Sequence, residues 1–287
     1  MVRSALRTSF AGLLVRDAAV RRGQPDGVHQ MRVVCRRLRS DLRLLSGAMD
    51  DDRVGPLREE LNWLGTSLGQ ARDLEVVRAR LADTAAGDTL APLDPGGLGL
   101  VFDLLDRELA AARVRAVEAL GTGRYVACLQ LLADVAADPG LSPLGREPAA
   151  RVLAPVLAAH WAHLDKRVRR LGPDDPDASW HRVRILAKRV RYAAEASSAA
   201  LGRPARRMAK AAAGTQTVLG EHQDAAMAAA WLLAAAGAPG PHVEPVFTLT
   251  LGRLAERERA AVRTSRAAFG AAWRQSRREV RNAPIRL

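Results

Sequence analysis

The chain has 287 residues, of which 48% are hydrophobic and 4% aromatic, and it carries a formal net charge of +13. This length and composition are enough for one large hydrophobic core or two smaller ones, and the basic excess predicts an anionic partner. The apolar stretch from Ser9 to Val15 is too short for a signal peptide or a membrane span. Two cysteines do not make a disulfide framework, which favours a reducing, cytoplasmic compartment.

Apolar residues recur at steps of three and four along nearly the whole chain, which predicts an all-α fold without strands. Clusters of glycine and proline separate the periodic segments. We expect helices near residues 2–22, 27–47, 56–85, 98–120, 123–137, 149–171, 179–201, 204–236 and 245–281. The break at 138–148 divides the chain into two parts, 1–140 and 146–287.

A basic pattern with the same spacing occurs once in each part. The offsets 0, 3, 7, 8 and 10 from a histidine give His29, Arg32, Arg36, Arg37 and Arg39, and then His181, Arg184, Lys188, Arg189 and Arg191, 152 residues later. On a helix, most of these side chains share one face, with Arg43 extending the first copy and Glu195 ending the second; Arg37 and Arg189 lie at the flank. Like charges stacked at these spacings repel each other, so their repetition predicts an anionic ligand that relieves the repulsion. We call the two copies the first stripe and the second stripe.

The two parts match beyond the stripes. The segment from Leu68 to Asp73 corresponds to the segment from Leu219 to Asp224, 151 residues later. A glycine inside a helix costs stability, so Gly69 and Gly220 predict a close approach between helices or a kink. Asp73 and Asp224 are expected to pair with arginines and fix their direction. The period of about 150 residues indicates duplicated helical bundles that bring both stripes to a shared surface.

These residues resemble the CHAD family, the conserved histidine α-helical domain. The resemblance rests on Val28–Arg32 with Arg36–Arg39, on His181–Arg184 with Lys188–Tyr192, and on the two Leu-Gly…Asp segments, and it covers essentially the whole chain. It implies two pseudo-symmetric four-helix bundles around a basic central pore or groove that binds inorganic polyphosphate, in some relatives at polyphosphate granules. Many relatives are fused to a triphosphatase-type domain, whose strand motif has no counterpart here, so the chain resembles a stand-alone binding module.

The resulting hypothesis is a polyphosphate chain along both stripes, with arginines forking onto its oxygens. His29 and His181 are expected in the first turns of their helices, where the dipole favours an anion. Neighbouring arginines would lower the histidine pKa and bound phosphate would raise it, so binding should strengthen at mildly acidic pH. Four further residues are candidates for the lining of the same channel: Arg58, Arg72, Arg207 and Lys210.

Three alternatives stay open at this point. Cationic helices also bind nucleic acid and other polyanions, a phosphohydrolase would use the same basic residues, and the basic residues of 253–286 would suit an acidic protein partner. The sequence predicts no catalytic residues, cofactor or metal site and no membrane partner, and it leaves the oligomeric state open. His160 and His163 have a metal-like spacing but lack partners, and they are interpreted as surface histidines.

Overall fold

The computed structural model describes residues 2–89, 95–237 and 245–282. These residues form helices without a strand, which confirms the predicted all-α class. The helices are α1 (Val2–Arg21), α2 (Gly27–Leu44), α3 (Asp51–Ser67), α4 (Gly69–Ala86), α5 (Pro95–Leu120), α6 (Gly123–Ala137), α7 (Ala149–Val168), α8 (Asp177–Leu201), α9 (Arg203–Gly237) and α10 (Pro245–Arg281). A short 3₁₀ helix, Leu144–Arg146, lies in the predicted break. Within the described ranges, no helix is long and apolar enough to cross a membrane.

The helix α2 has one apolar face and one basic face, as its sequence predicts. Met31, Cys35, Leu38 and Leu42 are buried in the core, which fixes the opposite face as the one that carries the first stripe. Its first residue, Gly27, packs so closely on α1 that a Cβ atom there would lie 3.1 Å from the backbone carbonyl of Ala19. This close approach sets the point at which α2 leaves α1.

Two hydrophobic clusters form the interior. One is built mainly from α1 to α6, and it also contains Ala228 and Leu232 of α9 and Leu251 and Leu254 of α10. The other is built from α7, α8, the first part of α9 and the last part of α10, with Leu44 of α2. The long helices α9 and α10 therefore contribute to both clusters. The division at residues 140 and 146 and the pseudo-symmetry of the two parts stay predictions.

The predicted helix at 56–85 was wrong in its extent, because it begins earlier and is interrupted at Leu68. Asp50 caps α3 by accepting a hydrogen bond from the backbone N–H of Asp52, which starts the helix before Pro56. At the interruption, Arg32 Nη1 donates to the Gly65 carbonyl at 3.3 Å. An added Cβ at Gly69 would lie 2.8 Å from the same nitrogen, so the glycine makes room for the guanidinium.

The expectation of a close approach or kink is confirmed for Gly69 and wrong for Gly220. A Cβ at Gly220 would meet nothing within 4 Å, and α9 continues through it. The two segments match in sequence, but only the first carries an arginine side chain against its glycine.

Candidate polyanion-binding site

The helices α2 and α8 lie side by side with their basic stripes in contact. Arg36 Nε of α2 donates a hydrogen bond to the Tyr192 hydroxyl of α8 at 2.7 Å. The Arg36 guanidinium also lies 5.6 Å from the centre of the Tyr192 ring, within the range of a cation–π contact. The two stripes, far apart in sequence, therefore meet in one place.

Four cations occupy the space between the two helices. They are Arg32 and Arg36 of α2 and Arg184 and Lys188 of α8, and we call them the central cluster. Burial, together with the adjacent Arg184, Arg36 and Arg32, lowers the pKa of Lys188 to about 7. Asp224 acts in the opposite direction but does not compensate. Near neutral pH, the protein therefore holds a lysine whose ammonium form is unfavourable in the absence of an anion.

Two carboxylates lie beside the central cluster at corresponding positions. Arg32 Nη2 is 3.6 Å from Asp73 Oδ1, and Arg184 Nη2 is 3.7 Å from Asp224 Oδ1. These pairs confirm the predicted role of the two aspartates. Their separations are too long for direct hydrogen bonds, so they orient the guanidinium groups without satisfying them. The Nε atom of Arg184 is buried without a hydrogen-bond partner among the described residues.

The two histidines occupy slightly different positions. His29 is in the first turn of α2, as predicted, and burial together with the charges of Arg72 and Arg36 lowers its pKa. His181 is the fifth residue of α8, so its expected place in the first turn was wrong. Its Nδ1 lies 2.5 Å from Gln223 Oε1. Gln223, which replaces the first part's Arg72, thus holds the second histidine directly.

The remaining stripe residues extend away from the central cluster. Arg39 lies next to Arg43, and both burial and this neighbour lower the Arg39 pKa. Arg37 is exposed at the flank of α2, close to Asp41. Arg191 is neutralised by Glu195, whose Oε1 lies 2.7 Å from the Arg191 Nε.

Arg189 points in another direction from the rest of its stripe. Burial and the nearby Arg43 lower its pKa. Its buried Nε has no hydrogen-bond partner within the described ranges. The flank position expected for Arg189 therefore brings it to the end of the first stripe rather than to the central cluster.

The four candidate lining residues are placed differently. Arg72 lies beside His29 and pairs with Glu75, with 3.3 Å between Nη1 and Oε2. Arg58 pairs with Asp51 at 3.0 Å, and Arg207 donates to the carbonyl of Asn282 at 3.3 Å. Lys210 is exposed on α9. Of the four, Arg72 is the one whose charge acts on the stripe residues.

Two clefts border the central cluster on different faces of α4. A cleft of about 860 Å³ is lined by residues that include Arg32, Arg39, Asp73 and Trp231 of α9. A second cleft, of about 510 Å³, is lined by residues that include Arg72, Arg80, Glu221 and Asp224. Solvent space therefore reaches basic residues on both sides of the contact between α4 and α9.

Sequence reasoning missed Tyr192 as a site residue, although it immediately follows Arg191 in the second basic pattern. Its hydroxyl and ring both hold Arg36, a contact that depends on how α2 and α8 pack. In the parts of the chain that the structure describes, no three His, Cys, Asp or Glu side chains come together as a set of metal ligands.

Comparisons with known proteins agree with this architecture. Two proteins of Mycobacterium tuberculosis, the uncharacterized proteins MT2285 of strain CDC 1551 and Rv2226 of strain H37Rv, are each 30% identical to the chain over 98% of its length. The chain spans about half the length of these relatives, since it covers 54% of each.

Two solved structures have the same fold. PptA from Streptomyces chartreusis has a TM-score of 0.74 and 28% identity, covering 95% of this chain and 98% of its own. The CHAD domain from the plant Ricinus communis has a TM-score of 0.66 and 28% identity, covering 99% and 91%. The family model described as the CHAD domain matches residues 4–233. The chain belongs to the CHAD-domain family.

Proposed function

We propose that the central cluster binds inorganic polyphosphate and that the protein acts as a non-catalytic binding module. The observation that carries the proposal is the convergence of four half-buried cations from two helices, of which Arg184 has a buried donor without an acceptor among the described residues. Buried donors without partners are rare in native proteins. Phosphate oxygens would accept from Arg184 and favour the charged form of Lys188.

The stripes suggest how a long anion would lie. Arg32, Arg36, Arg39 and Arg43 follow one face of α2 over about three helical turns. His29, at the N-terminal end of this face, adds a ring donor near the positive end of the helix dipole. A linear chain of phosphates along this face would relieve repulsion between successive arginines. Glu195 shortens the corresponding face of α8 by neutralising Arg191.

Family membership and the position of the cations favour polyphosphate over duplex nucleic acid. Proteins that read duplex DNA place an exposed helix in a groove, whereas Arg184 and Lys188 are half-buried between packed helices. Proteins that bind single strands commonly stack bases on aromatic side chains, and only 4% of this chain is aromatic. Other polyanions as narrow as polyphosphate would compete for the same cations.

The test is a titration of long-chain polyphosphate and, separately, of duplex DNA over a range of salt concentrations. We expect polyphosphate binding to persist at salt concentrations that abolish DNA binding. The double variants His29→Ala/Arg36→Ala and His181→Ala/Lys188→Ala should each weaken it. If polyphosphate and duplex DNA bound equally well, with the same steep salt dependence, and these substitutions changed neither affinity, a site specific for polyphosphate would be contradicted.

The non-catalytic part of the proposal has its own test. Incubation with long-chain polyphosphate and Mg²⁺ or Mn²⁺ should release no orthophosphate above a protein-free control. Sustained release by the wild type that the Lys188→Ala variant lacks would make the chain a phosphohydrolase instead.

On this proposal, a fluorescent fusion would also collect at cytoplasmic polyphosphate granules, and the stripe variants would not.

A further inference from the structure

A second group of cations lies where α2, α7 and α8 meet. Arg43 comes from the end of α2, Arg189 from the outer flank of α8, and His160 from the middle of α7. Burial lowers the pKa of His160, and Arg189, Arg43 and His163 lower it further. These groups therefore lie within electrostatic reach of one another.

This group lacks the carboxylates that accompany the central cluster. In the described part of the chain, neither Arg43 nor Arg189 takes part in an ion pair, whereas Arg32 and Arg184 each have an aspartate. The charges that act on His160 are those of Arg189, Arg43 and His163, and each of them lowers its pKa. The junction is thus more positive, relative to its local counter-charge, than the central cluster.

Two buried nitrogens at this junction also lack partners. Arg189 Nε and His160 Nδ1 are both buried without a hydrogen bond among the described residues. Arg189 Nε always carries a proton, and either tautomer of His160 leaves its Nδ1 unpaired. Arg43 and His163, whose charges both act on His160, are themselves exposed to solvent.

We propose that Arg43, Arg189 and His160 form a second phosphate-binding position, separate from the central cluster and at the far end of the first stripe. Its ligand is a phosphate group with free oxygens, supplied either by a polyphosphate chain that extends past Arg39 or by free orthophosphate. Arg189 and Arg43 bind the oxygens, and the ring of His160 donates to them when protonated. The choice of ligand rests on the proposed function, but the contacts that define the position do not.

The test follows the ring resonances of the six histidines by NMR over a pH titration. The His160 signal is assigned from a His160→Gln variant. The pH titration is then run on the free protein, with long-chain polyphosphate, and with orthophosphate. We expect added ligand to raise the pKa of His160 by about one unit or more, as a nearby anion does. A rise with polyphosphate alone identifies a chain segment as the ligand, and a rise with both ligands identifies any phosphate group.

Variants separate this position from the central cluster. Arg189→Ala should abolish the rise, whereas Arg151→Ala should not, because Arg151 is an exposed arginine of the same helix as His160 that already pairs with Glu147 at 3.0 Å. An unchanged His160 pKa at saturating polyphosphate, with binding still lost in Arg36→Ala/Lys188→Ala, would overturn the second position and leave the proposed function intact. Orthophosphate-dependent titration of His160 without polyphosphate binding would support the position and overturn the proposed function.

Discussion

The basic stripes of α2 and α8 and the helix α10 are all rich in arginine, but their charges are arranged in different ways. On α10, Arg253 and Arg257 both contact the buried Asp88, at 2.8 and 3.2 Å. On α2 and α8, Arg36 and Lys188 lie among other cations. The charges of Arg253 and Arg257 therefore stabilise the fold, whereas the cations of the central cluster repel one another in the free protein. On the proposed function, the lack of local counter-charge marks the site, and the number of arginines does not.

The largest expected effect is on affinity. Arg36→Ala/Lys188→Ala should weaken polyphosphate binding by about 100-fold or more, because each charge-assisted contact contributes about 1.5–3 kcal/mol. The matched control is Arg257→Ala/Arg263→Ala on α10, which removes two cationic side chains that are paired with Asp88 and Glu256. Calorimetric titration measures both. Similar losses in the two double variants would mean that net charge alone determines binding.

The next effect is on stability, where the two regions should respond in opposite directions. Arg253→Met leaves the buried Asp88 with fewer partners and should lower the free energy of unfolding by about 2 kcal/mol. Lys188→Met removes an ammonium buried among cations and should raise it by about 1 kcal/mol. Thermal unfolding without polyanion would show a fall of about 4–8 °C and a rise of about 2–4 °C, respectively. A lower free energy of unfolding for Lys188→Met than for the wild type would contradict this opposite response of the two regions.

A third prediction concerns pH. The pKa of Lys188 is about 7 in the free protein, so above that pH the amine must take up a proton when an anion binds. Affinity should therefore fall by up to about tenfold per pH unit above about 7, and calorimetry at pH 8 in two buffers of different ionisation enthalpy should detect the proton. Lys188→Arg keeps its charge and should remove this dependence. Equal proton uptake by that variant would assign the effect to another group.

The same lysine affects the unliganded protein. Its pKa is lower in the folded chain than its usual value of 10.5, so the unfolded chain binds more protons between about pH 7 and 10.5. Its contribution to the stability of the free protein accordingly rises with pH across that range. The pKa of His29 is also lowered. Its protonation at acidic pH adds a positive charge, which should strengthen polyphosphate binding there.

The smallest expected effect comes from a matched pair of glycines. Gly69→Ala should weaken polyphosphate binding about two- to fivefold, because the new Cβ would displace the Arg32 guanidinium from its place 2.8 Å away. Gly220→Ala meets nothing within 4 Å, so it should stabilise α9 by up to about 1 kcal/mol and leave affinity unchanged. Binding assays and thermal unfolding of both variants test this prediction. An equal loss of affinity in Gly69→Ala and Gly220→Ala would contradict a role of Arg32 in binding.

Much of the fold and part of the site follow from local pattern. Steps of three and four predicted the helices and the basic face of α2. Asp73 and Asp224 were predicted to pair with arginines, and the structure identifies these as Arg32 and Arg184. Features that depend on packing were missed. The interruption at Leu68 arises from an arginine on another helix, and the pairing of Arg253 with Asp88 joins residues that no short-range pattern connects.

Lys188 illustrates the same limit at the site. The sequence places it correctly on the second stripe, but its low pKa depends on burial and on Arg36 and Arg32 from the other part of the chain. His160 was interpreted as a surface histidine because its sequence neighbours offer no partners. Its surroundings come instead from α2 and α8.

The most direct test of the account is a crystal structure of the protein with a long-chain polyphosphate. We predict phosphate density between α2 and α8, with oxygens within hydrogen-bond distance of Arg36, Arg184 and Lys188. Side chains on α10 should keep the ion pairs with Asp88 that they have without the ligand. Density confined to the outer face of α10, with the central cluster empty, would contradict the claim that unbalanced cations define the site.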